Sequence, residues 1–207
     1  MKNATKHAEK LRSLFRSLMK EEKPAPFQTQ DPLKAFIRGA MSYDVSDRRA
    51  EEAMRAIEAE FVDLNEFRVA TDLEIQELLG TKYPAIEQRV AMITRGLNAI
   101  FEKEHLLSLD RLKTIAKRDA RTFLRELPDI HPFVEAYVLL YAFEGAAVPV
   151  DESITAYLRG EDVLEEGTAP DGAQRFLEHQ IKAEECHDLY VALRRAASDD
   201  ARGKKKK

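Results

Sequence analysis

The sequence predicts an all-α protein, and three features carry that reading. Apolar residues recur at steps of three and four along most of the chain, no stretch alternates polar and apolar residues long enough for a strand, and capping residues or Pro bracket the apolar segments. Leu11, Leu14, Phe15 and Leu18 form one stripe that stops before Lys23-Pro24-Ala25-Pro26. That pattern predicts a helical arm and linker over residues 1–26. Asp31 before Pro32 reads as an N-cap with Pro at the first helical position, opening a helix through Phe36, Ile37 and Ala40. Ser46 is placed to cap the next helix, which carries Ala50, Met54, Ile57 and Phe61. Thr71-Asp72-Leu73-Glu74 has capping-box spacing and starts a short helix that ends at Gly80. Pro84 opens the clearest amphipathic helix, through Ile86, Val90, Ile93, Leu97 and Ile100.

After Ser108, helical spacing runs through Ala120, Phe123, Leu124 and Leu127 and stops at Pro128. The turn Pro128-Asp129-Ile130-His131 leads to Pro132 and a strongly apolar helix ending at Phe143. Two helices joined by so short a turn make a helix-hairpin-helix over about residues 117–143. Residues 145–149 read as a loop, and Asp151 stands where an N-cap belongs, with Ile154 and Leu158 behind it. Residues 161–172 are acidic and contain Gly and Pro, which predicts a surface loop. One final helix is expected through Phe176, Leu177, Ile181, Leu189, Tyr190 and Leu193, then a disordered lysine tail over residues 201–207.

A chain of 207 residues suits one domain or two small lobes sharing a core, here a domain over residues 27–200. With 44% hydrophobic and 34% charged residues it has material for that core. The single Cys186 rules out an internal disulfide and points to a reducing compartment, so a cytoplasmic location is expected. The longest apolar run, residues 137–143, is too short to span a membrane, and the amphipathic start with Lys2 and Lys6 is not a signal core. No membrane, metal or small-molecule cofactor is therefore expected. Charge is uneven: residues 151–200 hold five basic and thirteen acidic side chains, whereas residues 201–207 hold five basic and none acidic. Any basic field for nucleic acid must be local.

Leu127-Pro128-Asp129-Ile130-His131-Pro132-Phe133-Val134-Glu135-Ala136, followed by Val148-Pro149-Val150-Asp151, resembles the core of the endonuclease III family of helix-hairpin-helix DNA glycosylases. That family reads Leu-Pro-Gly-Val-Gly-x-Lys-Thr-Ala, then an apolar helix, then Val-Asp. Its catalytic Lys falls on Phe133 and its catalytic Asp on Asp151, at the family's separation. Met41-Ser42-Tyr43-Asp44-Val45-Ser46 resembles the family's Gln-Ala-Thr-Asp segment, and Leu79-Gly80 with the helix after Pro84 resembles its Gly-Leu-Tyr-x-x-Lys-Ala region. The resemblance covers about residues 31–195. It implies a two-lobed helical bundle, double-stranded DNA as partner and base-excision chemistry.

The departures reshape that implication. In the family, hairpin glycines let backbone N–H groups approach a phosphate, with the next helix aiming its positive end at the same place. Here Asp129 and His131 stand at the glycine positions, Pro132 has no N–H, and the Asp129 carboxylate is expected to repel phosphate. The hairpin residues Ile130 and His131 either still contact DNA or are purely structural. Phe133 has no amine, so Schiff-base lyase chemistry by the family route is excluded unless another amine, such as Lys113 or Lys117, reaches the site. Monofunctional members rely on the Asp alone, which leaves Asp151 as a catalytic candidate beside its plainer reading as an N-cap. Met41, at the place of the family's Gln, is either a wedge between bases or core filling. The resemblance also implies a four-cysteine iron–sulfur cluster, which one cysteine cannot build.

Lys117, Arg121 and Arg125 lie four apart on the helix entering the hairpin, with Arg111, Lys113 and Arg118 nearby, and form either a phosphate-binding stripe or a solvated face. Lys204 to Lys207 add diffuse attraction to nucleic acid. Three functions stay open: a degenerate glycosylase-like protein that binds DNA weakly, a monofunctional glycosylase using Asp151, and a helical interaction module whose acidic face, residues 161–185, meets a basic protein.

Overall fold

The structure, a computed structural model, describes residues 4–204. Eleven α-helices and no strand are found among them. They form two compact units, a middle unit, Thr29–Glu144, and an end unit built from the residues up to Gln28 together with those from Gly145 onward.

In the middle unit, α2 (Pro32–Ser42) begins as expected, with Asp31 Oδ1 accepting from the backbone N–H of Leu33 and Lys34 at 3.0 Å each. Ser46 holds the N-cap position of α3 (Asp47–Glu60), but its hydroxyl makes no cap bond. A helix not anticipated, α4 (Leu64–Val69), follows the Asp63 cap; its six residues are too few to show a period. The Thr71–Glu74 capping box opens α5 (Asp72–Leu79), and Gly80 ends it at φ +85°, a conformation open to Gly at no steric cost. The long helix α6 is Ile86–Glu104. A Cβ on Gly96 would lie 2.5 Å from the Phe36 ring, so glycine there lets α2 and α6 pack in contact. A 3₁₀ turn, Asp110–Thr114, breaks the expected single helix before α7 (Lys117–Arg125). The helix α8 (Pro132–Phe143) is buried along almost its whole surface, as a segment without a polar stripe must be.

The end unit contains α1 (Ala4–Glu21), α9 (Glu152–Gly160), α10 (Pro170–Gln180) and α11 (Cys186–Lys204). The expected arm is in fact part of this unit's core. Leu11 and Leu18 are buried, His7 Nδ1 lies 2.9 Å from the Val163 carbonyl, and Arg195 donates to the carbonyls of Leu18 and Glu22. An amphipathic stripe needs a covering, and here residues far along the chain supply it. The acidic loop is shorter than expected, because Pro170 already starts α10. The expected final helix is two, separated where Ile181 and Lys182 are extended. Helix α11 continues to Lys204, inside the segment expected as a tail, and residues 205–207 of that tail lie outside the described residues. No helix among the described residues is long and apolar enough to cross a membrane.

Candidate functional site

The hairpin turn follows from local bonding. Leu127 and Ile130 donate their backbone N–H to the carbonyls of Leu124 and Leu127, and Asp129 takes the left-handed conformation at φ +56°, which Asp tolerates better than most residues. His131 caps α8, its Nδ1 accepting from Phe133 N–H at 3.2 Å, so this nitrogen carries no proton. The His131 N–H points at Met92 Sδ, 3.4 Å away. Its ring stacks on Tyr43, centroids 4.2 Å apart and nearly parallel, while the Arg89 guanidinium sits 3.6 Å from the same ring centroid. Two groups that close cannot share one face, so Tyr43 is sandwiched between them. Arg89 is buried and donates to the carbonyls of Pro84, Ala40 and Tyr43 at 2.7, 2.5 and 2.7 Å. The segment around Met41 and the hairpin, two pieces of the resemblance, are thereby held together.

This geometry changes the expected role of each hairpin group. The N–H groups of Ile130, His131 and Phe133 have partners within the protein, and Ile130 is half-buried. The Asp129 carboxylate is met by Arg95 at 2.7 Å, so the expected repulsion of phosphate is largely compensated; both groups are exposed, and the pair adds little stability.

The basic stripe is corrected more sharply. Arg121 Nε and Arg125 Nε donate to the two oxygens of Glu135, at 2.5 and 2.8 Å, and the Glu135 side chain is only 7% exposed. A carboxylate on a buried helix requires such partners, because leaving it unpaired out of water is costly. Arg121 and Arg125 are therefore structural cations first. Arg111 is held by Glu104 and Lys113 by Asp110. Lys117 is exposed and has no ion pair among the described residues, and Arg118 is exposed beside Asp119.

Met41 is fully buried on α2, and its carbonyl accepts from Tyr83 Oη at 2.6 Å. It fills core, and a wedge between bases would have to leave it. Phe133 is fully buried among aromatic rings, its own lying 6.2 Å from Tyr43 and 6.1 Å from Tyr137. Asp151 is 1% exposed. Its Oδ1 accepts from Ile154 N–H at 3.0 Å and Ser153 Oγ at 2.7 Å, and its Oδ2 from Arg194 Nη1 at 2.5 Å. It is both an N-cap and one half of a buried ion pair.

Burial, then the nearby Glu178, Glu185 and Glu184, push the Cys186 thiol up to about 11. One such thiol does not fit an iron–sulfur cluster. Among the described residues no group of three His, Cys, Asp or Glu side chains could hold a metal ion. The partners that sequence reasoning missed are Glu135, Arg194 and Arg89. Glu135 had a signal, a lone acid in an apolar helix; Arg194 had none that pointed to Asp151.

No protein-family model matches the chain, and no curated protein matches its sequence. Solved structures do. A trapped endonuclease III–DNA covalent intermediate superposes with a TM-score of 0.71 at 13% identity, over 90% of this chain and 84% of the other. The 8-oxoguanine glycosylase/lyase of Clostridium acetobutylicum, bound to double-stranded DNA containing 8-oxoguanine, gives 0.74 at 12% identity over 96% and 71%. The fold is that of the helix-hairpin-helix DNA glycosylases. A thermostable thymine-DNA glycosylase shares it, with a TM-score of 0.65 at 14% identity over 91% and 86%. Within this glycosylase fold, the positions that resemble the catalytic Lys and Asp are filled by a core Phe133 and an ion-paired Asp151.

Proposed function

We propose that this chain uses the glycosylase fold as a scaffold that binds duplex DNA weakly and does not cleave it or release bases. The observation that carries this reading is the state of Asp151: a carboxylate engaged by a backbone N–H, a hydroxyl and Arg194 is held as a structural anion, with both oxygens occupied and water excluded. Phe133 supplies no amine for covalent chemistry. Support for DNA as the partner comes from the fold, since two of the similar structures are DNA complexes, and from the exposed Lys117 and Arg118 at the start of α7.

The test has two parts. Borohydride reduction with abasic duplex is expected to trap no covalent complex, and incubation with damaged duplexes to release no base; trapping or base release at Asp151-dependent rates refutes the scaffold reading. Binding to an undamaged duplex is expected to weaken with salt at a shallow slope, about −0.9 per phosphate neutralised and on the order of two to four in total. Lys117→Glu with Arg118→Glu should flatten it. A slope as steep as that of proteins with many phosphate contacts would show an interface other than α7.

A second reading, a protein-interaction module, is favoured by one observation: a row of three cations without an ion pair or side-chain hydrogen bond among the described residues lies away from the hairpin.

A further inference from the structure

Those cations lie on α1. Arg12, Arg16 and Lys20 follow one another at four-residue steps, a row about 12 Å long at 1.5 Å per residue, and all three are exposed. Beside it runs a second row, Leu11, Phe15 and Met19, in which Leu11 is wholly buried and the other two are half-buried. Four-residue rows are the ridges along which a second helix packs. Within the same end unit, the connection between α10 and α11 faces α1 and completes a groove of 530 Å³. Ile181 extends its apolar floor, and Lys182 extends its basic rim. Glu185 is the one acidic residue lining it, against four cations. None of the four has an ion pair or a side-chain hydrogen bond among the described residues.

We propose that this groove docks an acidic amphipathic helix of a partner protein. Apolar side chains on one face of that helix would lie against Phe15, Met19 and Ile181, while its flanking carboxylates meet Arg12, Arg16, Lys20 and Lys182. Charge complementarity selects an anion: four unpaired like charges along one groove repel one another, and each carboxylate that arrives relieves that repulsion. The apolar floor selects among anions. A duplex presents phosphates to protruding cations and gives Phe15 and Met19 nothing to bury. A single strand stacks successive bases on aromatic rings, and Phe15 is the only ring lining the groove. A helix with an apolar face uses both the rim and the floor.

The test uses the full chain and four labelled probes: a synthetic helical peptide with Leu along one face and Glu on both flanks, a peptide of the same composition with its order scrambled, a DNA duplex and a DNA single strand. The amphipathic peptide is expected to bind at least about tenfold more tightly than the scrambled one, and Arg16→Glu with Lys20→Glu to weaken it by at least about tenfold. Met19→Gln should weaken it with the rim charge intact. Both substitutions sit at exposed or half-exposed positions, so the circular-dichroism melt is expected to stay within a few degrees of the parent. Equal binding of the two peptides overturns the proposal in favour of unspecific charge, and so does failure of the amphipathic peptide to bind. Displacement of the peptide by either DNA probe, with DNA binding lost in the same α1 variant, makes the groove a nucleic-acid site instead. Loss of duplex binding through Lys117 and Arg118 alone leaves this proposal standing and bears only on the scaffold reading.

Discussion

Two helices of this protein, α1 and α7, each carry three cations at four-residue steps, and they differ in what lies beneath them. On α7, Arg121 and Arg125 reach the Glu135 carboxylate on α8. On α1, Arg12, Arg16 and Lys20 stand over Phe15 and Met19 and make no ion pair among the described residues. The spacing is the same, so spacing cannot assign a role. A stripe over a buried acid is part of the fold's own electrostatics; a stripe over apolar side chains is available to something outside. The end unit repeats the first arrangement once, where Arg194 reaches Asp151.

The largest effect should come from that end-unit pair. Asp151→Ala removes an N-cap and strands Arg194, whose side chain is 9% exposed, as a buried cation. A loss of about 4 kcal/mol is expected, in the range for breaking a buried pair. Asp151→Asn keeps a cap acceptor and should lose less. Urea unfolding midpoints measure both. If Asp151→Asn left stability unchanged, the ion pair would not be what holds this carboxylate, and a catalytic role would become the better account.

Next comes Glu135→Gln, which turns the engaged α7 stripe into one like that on α1. It is expected to cost about 2 kcal/mol, below the roughly 3–5 kcal/mol of a fully buried pair because Arg125 reaches solvent. It should also free two cations for phosphate and steepen the salt dependence of duplex binding by about one to two. Stability lost with no change in the salt slope would mean that the α7 cations face away from DNA even when released.

How much of this was legible in the sequence depends on the range of the interaction. Asp31, Thr71 and Asp151 were readable as caps because a cap bonds N–H groups two or three residues away. The buried position of α8 followed from its lack of a polar face. The end of one helix at Ile181 was not legible, since the spacing of apolar residues continues in phase across the break. Nor was the fate of Arg121, Arg125 and Asp151 legible. Their partners Glu135 and Arg194 lie ten to forty-three residues away, and only the packing of α7 on α8 and of α9 on α11 brings them together. The sequence thus placed these charges on their helices but not beside their counter-ions, because a charge shows its type in a sequence and not its partner.

The smallest expected effect turns the same contrast into a pH dependence. Arg111, just before α7, is also engaged: it donates to both oxygens of Glu104, at 2.7 and 2.5 Å. The hydrogen bond from Arg111 holds the Glu104 carboxyl below its ordinary value of 4.5, against the opposing effect of burial. A carboxylate whose folded-state pKa is lowered stabilises the fold fully above its unfolded value, and that contribution disappears as the pH falls through the folded-state value. Glu104→Gln should therefore be less stable than the parent at neutral pH, and the gap should close in acid, as the pH falls below the ordinary carboxylate range. Urea midpoints of both proteins at neutral and acid pH measure it. The effect is modest, because Arg111 is half in solvent. A gap that stayed constant down to acid pH would mean that Glu104 contributes by packing alone, and that Arg111 belongs with the unengaged cations of α1.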